Sequence, residues 1–275
     1  RMMSQAQVES ARTDGFVCPV PVLTKAAADR YLSCFDAYQR DHGTDVDHHT
    51  QVKTHLLFTW MMEMGRTPAL LDAMEDLIGP NIMMVVSRMW VKNPLDGSFT
   101  TWHQDSAYFD YDPPEVWSAW IALTDSREEH GCLRYGRSTH LGPSLSHVET
   151  EDDKNLRSRG QYIPDFDDSS MALAEVNAGE AVLHHFRCAH SSLPNTTDQR
   201  RIGVLFVYCP TNVRATLGRY SGTCVRGEDK FGYWDAEPAV ERDLDPAALD
   251  YVRGLNARYF DKVVRSEAER EQTSG

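Results

Sequence analysis

Apolar residues in the first eighty positions recur at helical spacing. Ala28, Leu32, Phe35 and Tyr38 follow a period of about 3.6 residues, which predicts a helix over 26–38. Two more helices are predicted over 56–64 and 68–78, the second with Pro68 in its first turn and Gly79-Pro80 to stop it. Asp41-His42-Gly43 to His48-His49 reads as a polar loop with solvated histidines. Beyond Gly79 the pattern changes to short apolar runs, over 82–91, 116–123, 181–186 and 201–208, separated by Pro-, Gly- and Asp-rich connections. Such runs predict a mainly β protein with flanking helices: a jelly-roll or double-stranded β-helix core over about 81–235, behind a helical N-terminal layer at about 5–80. Residues 145–170 form a long polar insertion rich in Asp and Glu, of the kind that serves as a lid or stays disordered. Asp245 is placed to cap a C-terminal helix over about 246–267, with Pro246 in its first turn. Neither an internal repeat nor a low-complexity segment interrupts this pattern, and one domain over 1–275 is the expectation.

Composition narrows the function classes. The chain has 275 residues, 41% hydrophobic and 25% charged, which is ordinary for a globular enzyme. A net charge of −13 argues against a nucleic-acid partner and against an anionic membrane surface. No stretch approaches the roughly 20 apolar residues of a membrane span, and Arg1 to Gln7 has no apolar core of a secretory signal. Six scattered cysteines without a C-x-x-C pair read as reduced thiols, so a cytoplasmic location is expected. Cys188, close to His190, is expected to pack rather than react.

The candidate chemistry lies in His103-Gln104-Asp105 and the distant His190. On an extended segment, alternation puts His103 and Asp105 on one face and Gln104 on the other. A distant histidine then completes two imidazoles and one carboxylate on one face of a metal, the arrangement of non-haem Fe(II) oxygenases. Eleven histidines leave a choice for that third position. His184 and His185 are adjacent within an apolar run, so at most one faces a cavity, and core or supporting placement is expected for them. His190 lies in a turn-like segment just before the strand that starts at Arg201. His130, His140 and His147 read as structural or surface residues. Arg200 and Arg201 must point to opposite faces, Arg201 sharing its face with Gly203, Leu205 and Val207. Gly203 is expected to leave room beside Arg201 for a ligand, and Arg201 is the candidate clamp for the far carboxylate of 2-oxoglutarate.

The segments Trp102-His103-Gln104-Asp105, Trp120-Ile121-Ala122-Leu123-Thr124-Asp125, Gly131-Cys132-Leu133-Arg134 and Ser138-Thr139-His140 resemble the phytanoyl-CoA dioxygenase family. So do Gly179 to His185, His190 to Asn195 and Arg200-Arg201-Ile202-Gly203, and the resemblance covers about residues 80–235. It implies a double-stranded β-helix, Fe(II), 2-oxoglutarate and O2, with ascorbate expected to help. It implies that His103, Asp105 and His190 are the iron ligands and that Arg201 holds the oxoglutarate carboxylate. Ser192 falls where related enzymes place a hydroxyl on the same carboxylate. The chain departs from the family at Gly136-Arg137-Ser138-Thr139-His140, where Pro-Gly-Ser-His is usual; Arg137 either meets an anionic substrate or faces solvent.

The implied reaction is hydroxylation of an unactivated C–H, coupled to decarboxylation of 2-oxoglutarate to succinate and CO2. Related halogenases carry Ala or Gly where Asp105 stands, so halogenation is disfavoured. The alternatives are a desaturase or cyclase of the same family, a cupin-like metal enzyme that does not use 2-oxoglutarate, or a catalytically silent binding protein of the same fold. The partner is a small molecule, with an intermediate of natural-product biosynthesis preferred over long-chain acyl-CoA. The sequence does not fix the oligomeric state. Tyr108 to Tyr111, Trp117, Trp120, the 145–170 insertion with Arg159 and Gln161, and Phe231 to Trp234 are expected around the substrate, core packing being the alternative for the last group.

Overall fold

A computed structural model describes residues 2–43, 52–107, 110–156 and 161–258. The elements, in chain order, begin with α1 (Gln5–Asp14), β1 (Phe16–Pro21), α2 (Lys25–His42), α3 (Thr59–Gly65) and α4 (Pro68–Ile78). There follow β2 (Ile82–Lys92), β3 (Thr100–His103), β4 (Tyr111–Asp112), β5 (Trp117–Ala122), β6 (Leu133–Tyr135), β7 (Ala172–Ala174), β8 (Glu180–His185) and β9 (His190–Ser192). The chain continues through β10 (Arg201–Pro210), β11 (Arg214–Ala215), β12 (Ser221–Arg226) and β13 (Asp235–Ala236) to a helix over 246–258, here α5.

Two sheets form the double-stranded β-helix, or jelly roll. The major sheet runs β1-β8-β5-β10-β2-β12-β13 and the minor sheet β3-β9-β6-β7, while β4 and β11 make a small separate ribbon. The outer face of the major sheet carries Ala119, Ile121, Leu183, Ile202, Val204 and Phe206, packed against Leu70, Met74 and Leu77 of α4 and Phe35 of α2. Each fully buried Val, Leu, Ile, Met or Phe among them contributes about 1.5–3 kcal/mol. The opposite face carries Trp120, Val182 and Leu205, packed with Leu133 and Tyr135 of the minor sheet. Because both faces of β10 are covered, its run is apolar almost throughout rather than alternating.

The four expected strands are present to within two residues at either end. Helix α4 matches its expected span, opening on Pro68 and ending at Gly79 with φ 84. Three departures have clear causes. The N-terminal layer is not wholly helical, since Phe16–Pro21 extends and pairs with β8 at the edge of the major sheet. The expected helix over 56–64 is broken, because Phe58 is extended and Asp243 accepts from the amide and hydroxyl of Thr59, so α3 starts only there. Helix α2 runs on through His42, whose ring stacks on Tyr38 and bonds its carbonyl, so His42 is helical rather than part of a loop; His48 and His49 lie outside the described residues. Asp245 caps α5 as expected, accepting from the amides of Ala247 and Ala248, and the described part of α5 buries Val252 against the helical layer.

The 145–170 insertion does not simply overhang the fold. Leu156 donates its amide to the carbonyl of Phe99, Ile163 does so to Trp102, and Phe166 stacks on Trp102, so these residues are held against β3 and the residue before it. No helix of the described residues is long and apolar enough to cross a membrane.

Candidate active site

His103 closes β3 and His190 opens β9, and the two are paired in register across the minor sheet with ring centroids 4.2 Å apart. His190 is thus a strand residue rather than part of a turn. Asp105 arrives by a different route from the expected strand alternation. β3 stops at His103, and Asp105 starts a single 3-10 turn over Asp105–Ala107, anchored by the Ser106 amide on the carbonyl of Phe186. The turn brings Asp105 Oδ1 to 3.4 Å from His103 Nε2 and 3.7 Å from His190 Nε2. Each imidazole donates through Nδ1 to a backbone carbonyl, His103 to Thr101 at 2.7 Å and His190 to Cys188 at 2.9 Å. Those bonds leave both Nε2 atoms as lone-pair donors turned toward the carboxylate. Burial, reinforced by the neighbouring imidazole of His103, holds His190 well below the usual histidine range, so its ring is neutral. Two neutral imidazoles and a carboxylate, all buried and with ligand atoms within 4.8 Å of one another, are a donor set suited to a divalent first-row metal such as Fe(II).

His184 and His185 divide as the strand pattern requires. His184 points inward, with Nε2 3.1 Å from Asp105 Oδ2. His185 points outward to the carbonyl of Pro114.

The same pocket extends to Arg201, past Trp90, Thr100, Trp120, Leu133, Ser192 and Leu205. Arg201 is fully buried and donates through Nη1 to the carbonyl of Gly131 at 2.6 Å, whereas its Nε has no hydrogen-bond partner. Arg201 forms no ion pair with an acidic side chain among the described residues, and burial brings its pKa down to about 10. Such an unmatched cation fits an incoming carboxylate. Arg200, on the other face, pairs instead with Asp36 at 2.6 Å and with Gln39. The space beside Gly203 is not left for a ligand: the Trp120 indole fills it, and a Cβ there would sit 2.0 Å from the ring.

Sequence reasoning missed Lys92. Its backbone pairs with Arg201 across β2 and β10, and its Nζ meets Ser192 Oγ at 2.7 Å, the Gly131 carbonyl at 3.3 Å and the Leu193 carbonyl. Burial, and then Arg201, pushes Lys92 down to about 5. Gly131 makes this approach possible, with φ +73 and an added Cβ only 2.2 Å from the Leu193 carbonyl. Ser192 also bonds Thr100 Oγ1 at 2.8 Å, so Ser192 is brought to the cationic end beside Arg201. A charged residue closing the apolar run of β2 was the available signal.

Gln104 was the second omission. Its amide donates to His147 Nε2, its side-chain oxygen accepts from Leu145 and its side-chain nitrogen donates to Arg187, tying the insertion and the β8–β9 turn to the metal segment. Several expected substrate residues lie elsewhere. Trp117 faces the helical layer, Trp234 is core with its indole on the Val213 carbonyl, and Arg137 pairs with Asp14 at 2.9 Å. Tyr108, Phe109 and Arg159 lie outside the described residues. All six cysteines are free, and burial raises Cys188 to about 12, consistent with packing.

The phytanoyl-CoA dioxygenase (PhyH) family model matches residues 11–203. A probable alpha-ketoglutarate-dependent hypophosphite dioxygenase of Stutzerimonas stutzeri is 28% identical over 60% of this chain and 58% of its own length. The chain spans about half the length of the curated relatives it matches. Among solved structures, the non-heme monooxygenase ThoJ in its apo form is 31% identical, with a TM-score of 0.84 over 96% of this chain and 99% of that one. The alpha-ketoglutarate-dependent carbocyclase SnoK, 22% identical with a TM-score of 0.64 over 78% of this chain and 86% of that one, shares the fold. By its sequence match over residues 11–203, this chain belongs to the phytanoyl-CoA dioxygenase family.

Proposed function

We propose that the protein is an Fe(II)/2-oxoglutarate-dependent oxygenase that hydroxylates an unactivated C–H of a small molecule. The observation that carries this reading is one pocket with a His103-Asp105-His190 donor set at one end and the carboxylate-free cation Arg201 at the other. His103, Asp105 and His190 would hold the iron, and Arg201, helped by Ser192, would hold the far carboxylate of 2-oxoglutarate. Iron with 2-oxoglutarate and O2 supplies the oxidising power, releasing succinate and CO2. The chain's own part is positional: Arg201 and Ser192 would set the depth of the cosubstrate, Trp120 and Leu205 would shield it from water, and Asp105 would supply the carboxylate of the metal donor set. Hydroxylation is favoured over cyclisation by the 31% identity to a protein described as a monooxygenase.

The test is an anaerobic titration of the Fe(II)-loaded protein with 2-oxoglutarate, following the visible charge-transfer band of the chelate. The wild type should give a saturable band, and Arg201→Ala should need at least about 30-fold more cosubstrate, on the order of the 2 kcal/mol or more at stake when a buried charge pair loses one partner. Iron binding without any band would instead favour a cupin-like metal enzyme that does not use 2-oxoglutarate.

A further inference from the structure

Asp105 has a partner beyond the metal-facing histidines. On the inner face of β8, His184 sets Nε2 at 3.1 Å from Asp105 Oδ2, and Tyr135 of β6 sets its hydroxyl 2.8 Å from His184 Nδ1. All three side chains are buried. The chemistry of the contacts assigns the protons. A carboxylate oxygen only accepts, so the short contact to Oδ2 requires that His184 Nε2 carry hydrogen. The other ring nitrogen, Nδ1, is the one that meets the Tyr135 hydroxyl. The contacts therefore form one line, from Tyr135 through His184 to Asp105 Oδ2.

The two carboxylate oxygens thus face different neighbours. Oδ1 is the one turned toward His103 Nε2 and His190 Nε2, while Oδ2 is turned toward His184. We propose that Tyr135 and His184 are positioning residues that present Asp105 to the metal through Oδ1 alone. A carboxylate free to rotate about its terminal bond can chelate with both oxygens and take a coordination position that the cosubstrate or O2 needs. With Oδ2 held by an N–H, that rotation is opposed. His184 acts through Asp105 and is not itself a ligand: its Nε2 hydrogen points at the carboxylate, and His103, Asp105 and His190 alone satisfy the mutual distances of a metal-binding group among the described residues. The proposal rests on the metal reading of His103, Asp105 and His190 given above.

The experiment measures Fe(II) affinity anaerobically, with Co(II) as an air-stable probe, for the wild type, His184→Phe, His184→Gln, Tyr135→Phe and His190→Ala. Thermal unfolding of each metal-free variant checks its fold. Partners that orient a metal ligand are typically worth 10–100-fold in metal affinity, so His184→Phe should weaken binding by about that factor at a nearly unchanged metal-free Tm. His184→Gln, whose amide can still donate to Oδ2, should recover most of the loss. Tyr135→Phe, which frees the ring to change tautomer, should lose less than about tenfold. The Co(II) visible spectrum should change in His184→Phe and return in His184→Gln, a response that lost packing alone would not give.

Unchanged affinity and spectrum in His184→Phe would overturn the relay, as would a His184→Gln protein as impaired as His184→Phe. Loss as complete as in His190→Ala, with Tyr135→Phe unaffected, would overturn it by making His184 a ligand. Should His184→Phe fail to fold, His184→Gln and Tyr135→Phe decide the matter alone. Failure of the wild type to bind either metal would overturn the metal reading itself, and the relay with it; wild-type binding combined with an indifferent His184→Phe sinks the relay alone.

Discussion

Two clusters of buried charge sit at different places in this fold, and they are built on opposite rules. In the first, Lys53 Nζ meets Glu237 Oε2 at 2.9 Å and the carbonyls of Val85 and Ser221 at 2.6 and 2.7 Å. Glu237 in turn accepts from His55 Nε2, Ser221 Oγ and Thr223 Oγ1, each at 2.9 Å. Charge and hydrogen bonds are matched inside the protein, which clamps the segment after β13 onto the residues before α3. In the second cluster Lys92 and Arg201 are adjacent across two strands, buried, and without an acidic partner among the described residues. A folded chain keeps two basic groups buried without an acidic partner only at a cost, here borne partly by Lys92, which burial and then Arg201 push toward the neutral amine. The first cluster completes itself, whereas the second leaves Arg201 without an acidic partner among the described residues, as the proposed cosubstrate site requires.

The sharpest way to break that comparison is Glu237→Ala. Removing one partner of a buried pair strands Lys53, which costs about 3–5 kcal/mol, or on the order of 10 °C in Tm for a chain of this size. Thermal unfolding measures it, and saturating 2-oxoglutarate should raise mutant and wild-type Tm by similar increments. The pH response follows in sign. Although burial opposes it, Lys53 and then His55 hold the Glu237 carboxyl well below its ordinary 4.5. The stabilisation is therefore present above about 4.5 and is lost as pH falls below it. In Glu237→Ala this acid limb should be shallower.

Lys92→Met tests the second cluster, with a smaller and opposite effect on stability. Replacing a buried amine that has no acidic partner by an apolar side chain of similar length is neutral or stabilising for the protein alone. With the folded pKa at about 5 and the unfolded at 10.5, the unfolded chain binds more protons across that window, so wild-type stability rises with pH from 5 to 10.5. The substitution should flatten that rise. Cosubstrate affinity should fall about tenfold, the equivalent of about 1.4 kcal/mol. A neutral Lys92 that gains a proton when a dianion settles beside it also predicts proton uptake on 2-oxoglutarate binding at pH 7. Calorimetry in buffers of different ionisation heat should register the uptake in the wild type and none in Lys92→Met; equal uptake in both would remove Lys92 from the carboxylate end.

The contrast also explains what the sequence made legible. His103, Asp105, His190 and Arg201 stood out because their residue types and order carry chemistry, and the strands that hold them have clear apolar runs. Their geometry was less legible. Asp105 is delivered by a 3-10 turn whose anchor is the distant carbonyl of Phe186, and no local period encodes that. Lys92 was missed because a lysine after an apolar run reads as the solvated end of a strand; only the register with Arg201 and the close approach allowed by Gly131 show it to be inside. Glu237 was invisible for the same reason, since its partners lie at residues 53, 55, 221 and 223. Gly203 was misread because a glycine shows that something comes close, not what, and here it is Trp120.

Arg137 provides the smallest effect and the control for both clusters. It departs from the family pattern, and a role in meeting an anionic substrate was one of its two readings. Its guanidinium bonds Asp14 at 2.9 Å, with side chains 51% and 25% exposed. Water can replace either partner, so the pair is worth at most about 1 kcal/mol. Arg137→Gln should shift Tm by no more than a few degrees, less at high salt, and should leave 2-oxoglutarate affinity at the wild-type value. It should also leave the proton uptake on 2-oxoglutarate binding unchanged, since Arg137 pairs with Asp14 and does not line the pocket of Arg201. A loss of cosubstrate affinity in Arg137→Gln approaching that of Lys92→Met would mean that the field at the cationic end is set by long-range charge rather than by the two buried side chains, and the distinction between matched and unmatched clusters would no longer explain where the carboxylate goes.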